Sequence, residues 1–201
     1  MNGASPKSAL RSLRLQALSA PGARFGGRLV SLALGVALLT LAAKIHIPFW
    51  PVPMTLHTLA IMGFALFLGP RAALAIIAAY LALGACGLPV FSDSPARGVG
   101  LAYMLGPTGG YLAGYPLGAL IAGHLAQRRG LAGRFLAMLA GMVPVYGLGL
   151  LWLARFVPFA QVWALGFAPF ILGDVVKIAL LTAASGFFPT LPWGAAKGAA
   201  R

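Results

Sequence analysis

The chain has 201 residues, of which 60% are hydrophobic and 8% charged. A soluble domain carries about 25% charged residues, so this composition excludes a water-facing globule and fits a chain whose exterior is solvated by lipid. The net charge of +13 does not signal nucleic acid, because Lys and Arg fall in small clusters between long uncharged runs, the pattern of topology signals rather than of a binding face. Residues 1–28 carry Lys7, Arg11, Arg14, Arg24 and Arg28 and no acid. Transit peptides share that composition, but the topology below favours a basic cytoplasmic tail. Six membrane-spanning helices are then predicted, at 29–46, 55–69, 71–88, 110–127, 133–153 and 165–187, near the ~20 residues that a bilayer requires. The second is short, with Pro51 and Pro53 ahead of it. It is expected either to tilt into a thinned region or to open with irregular backbone packed inside protein. Pro144 is expected to kink the fifth. Residues 191–201 read as a C-terminal tail. The expected fold class is all-α: one polytopic membrane domain over 29–190.

Six spans place both termini on one side, and the positive-inside rule chooses the side. Eleven of the 15 basic residues lie with the termini and the 2–3 and 4–5 turns, against Lys44, Arg97 and Arg155 opposite, with Lys177 inside the membrane. Both termini are therefore expected in the cytoplasm. The outer side carries connections 47–54, 89–109 and 154–164. The middle one is too apolar and Gly-rich for a disordered spacer, and reads as a lid or as an ordinary surface loop. Gly106, Gly110, Gly114, Gly118 and Ala122 recur every four residues, a small-residue stripe that lets helices approach closely. Gly109 and Gly110 sit at the helix mouth, where bare backbone can also touch a ligand. Ala33 and Ala37 form a second small pair, suited to internal packing or to partner docking. Cys86 is the sole cysteine, which excludes an internal disulfide, and His46, His57 and His124 are scattered, so no metal site is expected.

Asp93 and Asp174 are the two acids. Asp93 falls in the outer loop. Asp174 falls deep in the sixth apolar run, where a charge costs roughly 2.5–3.5 kcal/mol on insertion scales. Lys177 follows at i+3, on the same helix face. An ion pair lowers the burial cost but rarely offsets it fully, so the pair should face a bundle interior or a cavity. It reads as helix–helix glue, a proton relay, an ion path or a polar ligand clamp. A relay needs further titratable groups along a path, and the spans offer almost none. A clamp needs only a few polar groups in an apolar pocket. Tyr111, Tyr115, Tyr146, Trp163 and Phe167 suit such a pocket or a membrane-interface belt. A carboxylate beside an ammonium complements a cyclic urea, but equally zwitterions and amides.

Three stretches narrow this. PVPMTLHTL at 51–59, GPTGGYLAGY at 106–115 and LGDVVK at 172–177 together resemble the BioY family, the biotin-binding S components of energy-coupling factor (ECF) transporters. The likeness runs over nearly the whole chain in order and spacing. It implies a six-helix S component in the bacterial cytoplasmic (inner) membrane that binds biotin near its outer face, is no enzyme and carries no cofactor. It marks Thr55, Gly109, Gly110, Tyr111, Asp174 and Lys177 as pocket residues, and Arg97 as a candidate for the biotin carboxylate. It also implies that the first span, with Ala33 and Ala37, contacts a transmembrane coupling subunit. His57 departs from the family pattern, which usually has Gln there, and an imidazole loses the reach and amide geometry. The chain has no G-x-x-x-x-G-K-[ST] motif for ATP, so the energy would come from elsewhere, and the resemblance implies ABC-type ATPase subunits. Two alternatives stand beside this. An ion-coupled secondary transporter predicts an internal repeat, and an intramembrane enzyme using Asp174 as acid/base requires a nucleophile or metal cluster.

Overall fold

The structure, a computed structural model, describes residues 21–48 and 50–188. Most of the basic N-terminal segment, the C-terminal tail with Lys197 and Arg201, and Phe49 lie outside the described residues. In chain order the helices are α1 (Pro21–Lys44), α2 (His57–Phe67), α3 (Pro70–Ala85), α4 (Gly100–Met104), α5 (Gly109–Ala126), α6 (Leu131–Leu153), α7 (Phe159–Gly166) and α8 (Ala168–Phe187). Three stretches are long and apolar enough to cross a membrane: Gly26–Lys44, Leu131–Leu153 and Phe159–Phe187. Helices α2 and α3 are apolar but shorter.

Helix α1 is already formed at Pro21, inside the segment expected to be tail. Hydropathy marks where a chain enters lipid, whereas backbone hydrogen bonding lets a helix continue beyond that point. Its two faces differ in what they meet rather than in polarity. Val36, Leu39 and Ala43 are buried against the other helices, while Leu34, Leu38 and Leu41 are exposed, as expected where lipid solvates the outer face.

The short second span opens with irregular backbone. Strands β1 (His46–Ile47) and β2 (Met54–Thr55) pair antiparallel, with His46 opposite Thr55 and Ile47 opposite Met54. Pro51, Val52 and Pro53 between them are buried. Prolines lack the N–H that a helix would use, so a helix starts only after them, at His57. The 89–109 connection is also structured. It folds inward on Phe91, which is fully buried, stacks on Tyr103 with ring centroids 4.8 Å apart, and meets Tyr80 edge-on at 5.4 Å. Gly84 faces the Phe91 ring so closely that a side chain there would overlap it.

Helices α5 and α6 form the most extensive pairing in the molecule, and the small-residue stripe explains it. A methyl group added at Gly110 would collide with the Leu148 carbonyl, one at Gly114 would lie 2.6 Å from Val145 Cα, and one at Gly118 would lie 2.6 Å from the Gly141 carbonyl. Three successive turns of α5 thus rest on the α6 backbone itself, and backbone cannot rotate away. Pro144 lies within α6, which runs unbroken through it; its carbonyl would lie 2.8 Å from that methyl group at Gly114. We predict that Gly114→Ala destabilises the fold by about 1–3 kcal/mol, the usual cost of overpacking, visible as a lower melting temperature in detergent. Gly147→Ala on the same helix pair, where nothing lies within 4 Å, should melt like the parent or slightly higher. Equal melting of parent and Gly114→Ala would contradict the tight seam.

Candidate functional site

Where α2, α6 and α8 converge, Asp174 is 5% exposed. The sequence explains its surroundings. In HTLAIMGFALF, the α2 segment, the polar side chains are His57 and Thr58. Thr58 faces α8 and donates its hydroxyl proton to Asp174 Oδ1 at 2.6 Å. Tyr146 of α6 donates to Asp174 Oδ2 at 2.5 Å. Lys177, one turn beyond Asp174 on α8, donates to Asp174 Oδ1 at 2.9 Å, to Thr58 Oγ1 at 3.2 Å and to the Thr55 carbonyl at 2.7 Å. Thr55 precedes the first helical hydrogen bond of α2, which runs from Ala60 N to the Leu56 carbonyl, so its own carbonyl is available. Each ammonium proton therefore has an acceptor, and the carboxylate has three donors. Hydrogen bonds to charged groups contribute about 1.5–3 kcal/mol each, and such satisfaction is what a buried pair requires.

This cluster lines a cavity. Its polar wall includes Thr55, His57, Thr58, Ser92, Tyr103, Thr108, Tyr111, Tyr115, Tyr146, Asp174 and Lys177. Val52, Leu112, Met142, Val145 and Phe170 supply apolar surface. Apolar atoms nevertheless make up most of the cavity surface, and the polar groups converge from different helices, the usual composition of a small-molecule site. Tyr111 donates to the Gly166 carbonyl at 2.8 Å, which ties α5 to α7. His57 is buried: its Nδ1 lies 3.0 Å from Thr55 Oγ1 and its Nε2 lies 2.8 Å from the Tyr80 hydroxyl. Tyr80 in turn donates to the Val90 carbonyl at 3.1 Å. The Nε2–H tautomer satisfies this chain, with Nδ1 accepting from Thr55 and Nε2 donating to Tyr80. His57 therefore links the wall at Thr55 to the root of the outer loop.

Of the residues singled out in the sequence, Asp174, Lys177, Thr55 and Tyr111 line the cavity together. Gly109, Gly110 and Arg97 are outside its lining. A side chain at Gly109 or Gly110 would meet Trp152 and the backbone of Met104 or Leu148, respectively. Arg97 Nη1 donates to the Pro51 carbonyl at 3.0 Å, its Nε lies 3.5 Å from Asp93 Oδ2, and its guanidinium lies over Trp50 at 5.0 Å. Asp93 also meets His46 Nε2 at 2.6 Å. Among the aromatic candidates, Tyr115 and Tyr146 join the lining, whereas Trp163 is exposed and packs on Phe167, ring centroids 4.2 Å apart. Ala33 and Ala37 lie on the exposed face of α1. Thr58, Ser92, Tyr103 and Thr108 escaped the sequence reading. Thr58 had a signal, as one of two polar side chains in the α2 segment and three residues from Thr55; the loop residues had none. Among the described residues no group of three or more His, Cys, Asp or Glu is placed to hold a metal ion.

Comparison with known proteins gives a consistent picture. A family model described as the BioY family matches residues 16–192. A Pyrococcus horikoshii protein named "Probable biotin transporter BioY" is 42% identical over 147 residues, covering 73% of this chain and 86% of its own. A Thermotoga maritima protein named "Biotin transporter BioY" is 36% identical over 153 residues, covering 75% of this chain and 89% of its own. A crystal structure of "the S-component for biotin from an ECF-type ABC transporter" matches the fold with a TM-score of 0.69 at 26% identity, over 82% of this chain and 92% of that one. With its apolar helices, the chain is a multi-pass membrane protein. It belongs to the BioY family.

Proposed function

We propose that this chain captures biotin from outside the bacterial cytoplasmic membrane and delivers it as the S component of an ECF-type transporter. The observation that carries this is the Asp174–Lys177–Thr58–Tyr146 cluster set into the wall of a mainly apolar cavity, in a chain that shares its fold with a biotin S component. Biotin presents a cyclic urea with two N–H donors and one carbonyl acceptor. Asp174 Oδ2 accepts one bond, from Tyr146, and a carboxylate oxygen has two lone pairs, so it retains one for a ureido N–H. Lys177 serves the ureido carbonyl by turning one N–H away from Thr58, its longest contact at 3.2 Å. The apolar wall receives the fused rings and the alkyl chain. Nothing in this exchange makes or breaks a covalent bond, and it requires no cofactor.

The same reading gives six transmembrane helices, counting α1, α2 with its leading hairpin, α3, α5, α6 and α7–α8, with both termini cytoplasmic. The excess of basic residues on the terminal side supports that orientation. Uptake then draws on a transmembrane coupling subunit and ABC-type ATPases. Ala33 and Ala37 face outward on α1 while Gly35, Val36 and Leu39 pack inward, which leaves a small-residue pair on the exposed face for the coupling subunit.

Detergent-purified wild type should bind labelled biotin, whereas Asp174→Asn and Lys177→Ala should each bind at least about 30-fold more weakly, the equivalent of roughly 2 kcal/mol for breaking a buried charge pair. Unchanged affinity in both variants would remove the clamp assignment, and a folded wild type that binds no biotin would remove the function. Replacing Ala33 and Ala37 with Leu should abolish co-purification with the coupling subunit and leave biotin affinity within about twofold, because neither side chain lies near the cavity. Intact assembly with this double variant would count against docking on α1.

A further inference from the structure

The cavity draws its polar groups from several helices and from the outer loop. Those on α2, α6 and α8 bond to one another, as described above. Ser92, on the outer loop, does not. It is 2% exposed, it lines the cavity, and its hydroxyl has no hydrogen-bond partner among the described residues. Buried hydroxyls are nearly always paired, since an unpaired one retains its full desolvation cost. Loop slack does not account for the exception. Lys44 Nζ donates to the Phe91 carbonyl at 2.8 Å, to the Ser94 carbonyl at 2.7 Å and to Ser94 Oγ at 3.1 Å, which pins the residues on both sides of Ser92. Phe91 is itself locked between Tyr80 and Tyr103. The backbone thus holds an unspent donor enclosed beside the cavity.

We propose that Ser92 is a ligand contact whose hydroxyl donates a hydrogen bond to the carboxylate of bound biotin. The proposal rests on the reading that the chain captures biotin. Biotin has two polar ends, the urea and a carboxylate on an alkyl chain. Asp174 and Lys177 match the urea, so the carboxylate must find a donor elsewhere on a wall that also carries Val52, Leu112 and Val145; a carboxylate left without one would not leave water. Ser92 Oγ is a fully enclosed side-chain oxygen of that wall that has no hydrogen-bond partner among the described residues. Tyr103 and Thr108 line the same cavity from the same loop. The arrangement also has a signature that a packing residue lacks: the hydroxyl that aids binding burdens the ligand-free protein.

The test compares wild type and Ser92→Ala, both full length in detergent, with biotin and with a biotin analogue whose carboxylate is replaced by a methyl group. Ser92→Ala should weaken biotin binding about tenfold, the low end for a hydrogen bond to a charged group. It should leave affinity for the methyl analogue within about twofold, and the ligand-free variant should melt at the same temperature as wild type or higher. Equal biotin affinity of the two proteins overturns the Ser92 assignment alone. An equal loss for both ligands, or a lower melting temperature without ligand, also overturns it, because either outcome makes Ser92 a packing residue. A folded wild type that binds no biotin overturns the functional reading and this proposal with it.

Discussion

Two opposite charges lie within the lipid-solvated body of this protein, and much of the site follows from keeping them satisfied. Asp174 and Lys177 share a helix face, but neither is adequately paired by the other. A carboxylate presents about four lone-pair sites and an ammonium presents three protons. The remainder comes from Thr58 on α2, Tyr146 on α6 and the Thr55 carbonyl ahead of α2. The ion pair can therefore be buried only where three separate parts of the chain meet. Loss of one partner leaves the other charge buried without compensation, which costs more than the pair ever contributes. The convergence of α2, α6 and α8 is in this sense a condition of solvation as much as of packing.

The seam between α5 and α6 gives the cavity a stiff wall. Leu112 and Tyr115 lie on α5, Met142, Val145 and Tyr146 on α6, and all five line the cavity. With backbone resting on backbone at Gly114 and Gly118, the spacing between these two sets of side chains is fixed by covalent geometry rather than by adaptable rotamers. A hydrogen bond tolerates only a few tenths of an ångström before it weakens, so Tyr146 can hold Asp174 at a constant distance only from a wall of this kind.

What was legible in the sequence followed the size of the physical penalty involved. Charges in lipid are expensive, so Asp174 and Lys177 stood out at once. Long apolar runs located α1, α6 and α8, and the paired prolines announced that the second span would begin late. Helix ends were less visible, because α1 continues beyond its apolar run. The two-residue strands and the short α4 and α7 carry too little periodicity to register. Among the site candidates, Thr55 and Tyr111 came from motif likeness and lie in the cavity wall, whereas the same motif's Gly109 and Gly110 lie against Trp152 and the backbone of Met104 and Leu148. Spacing alone does not separate a glycine that admits a ligand from one that admits a helix. Ser92 was invisible for a related reason: a serine in a loop is inexpensive until the fold buries it.

One partner of Lys177 is of a different kind from the others. The Thr55 oxygen belongs to the main chain, so no codon change at position 55 deletes it. What can be lost is the bend that leaves it outside the α2 ladder, and that bend is written in Pro51 and Pro53. The heritable information for this contact is thus stored several residues away from the atom that makes it. A substitution at position 55 removes the Oγ1 bonds to His57 but leaves the carbonyl, whereas a change at either proline acts on the backbone ahead of it without touching any residue of the ion pair. A map of mutational sensitivity for this protein would consequently show a silent atom flanked by sensitive neighbours.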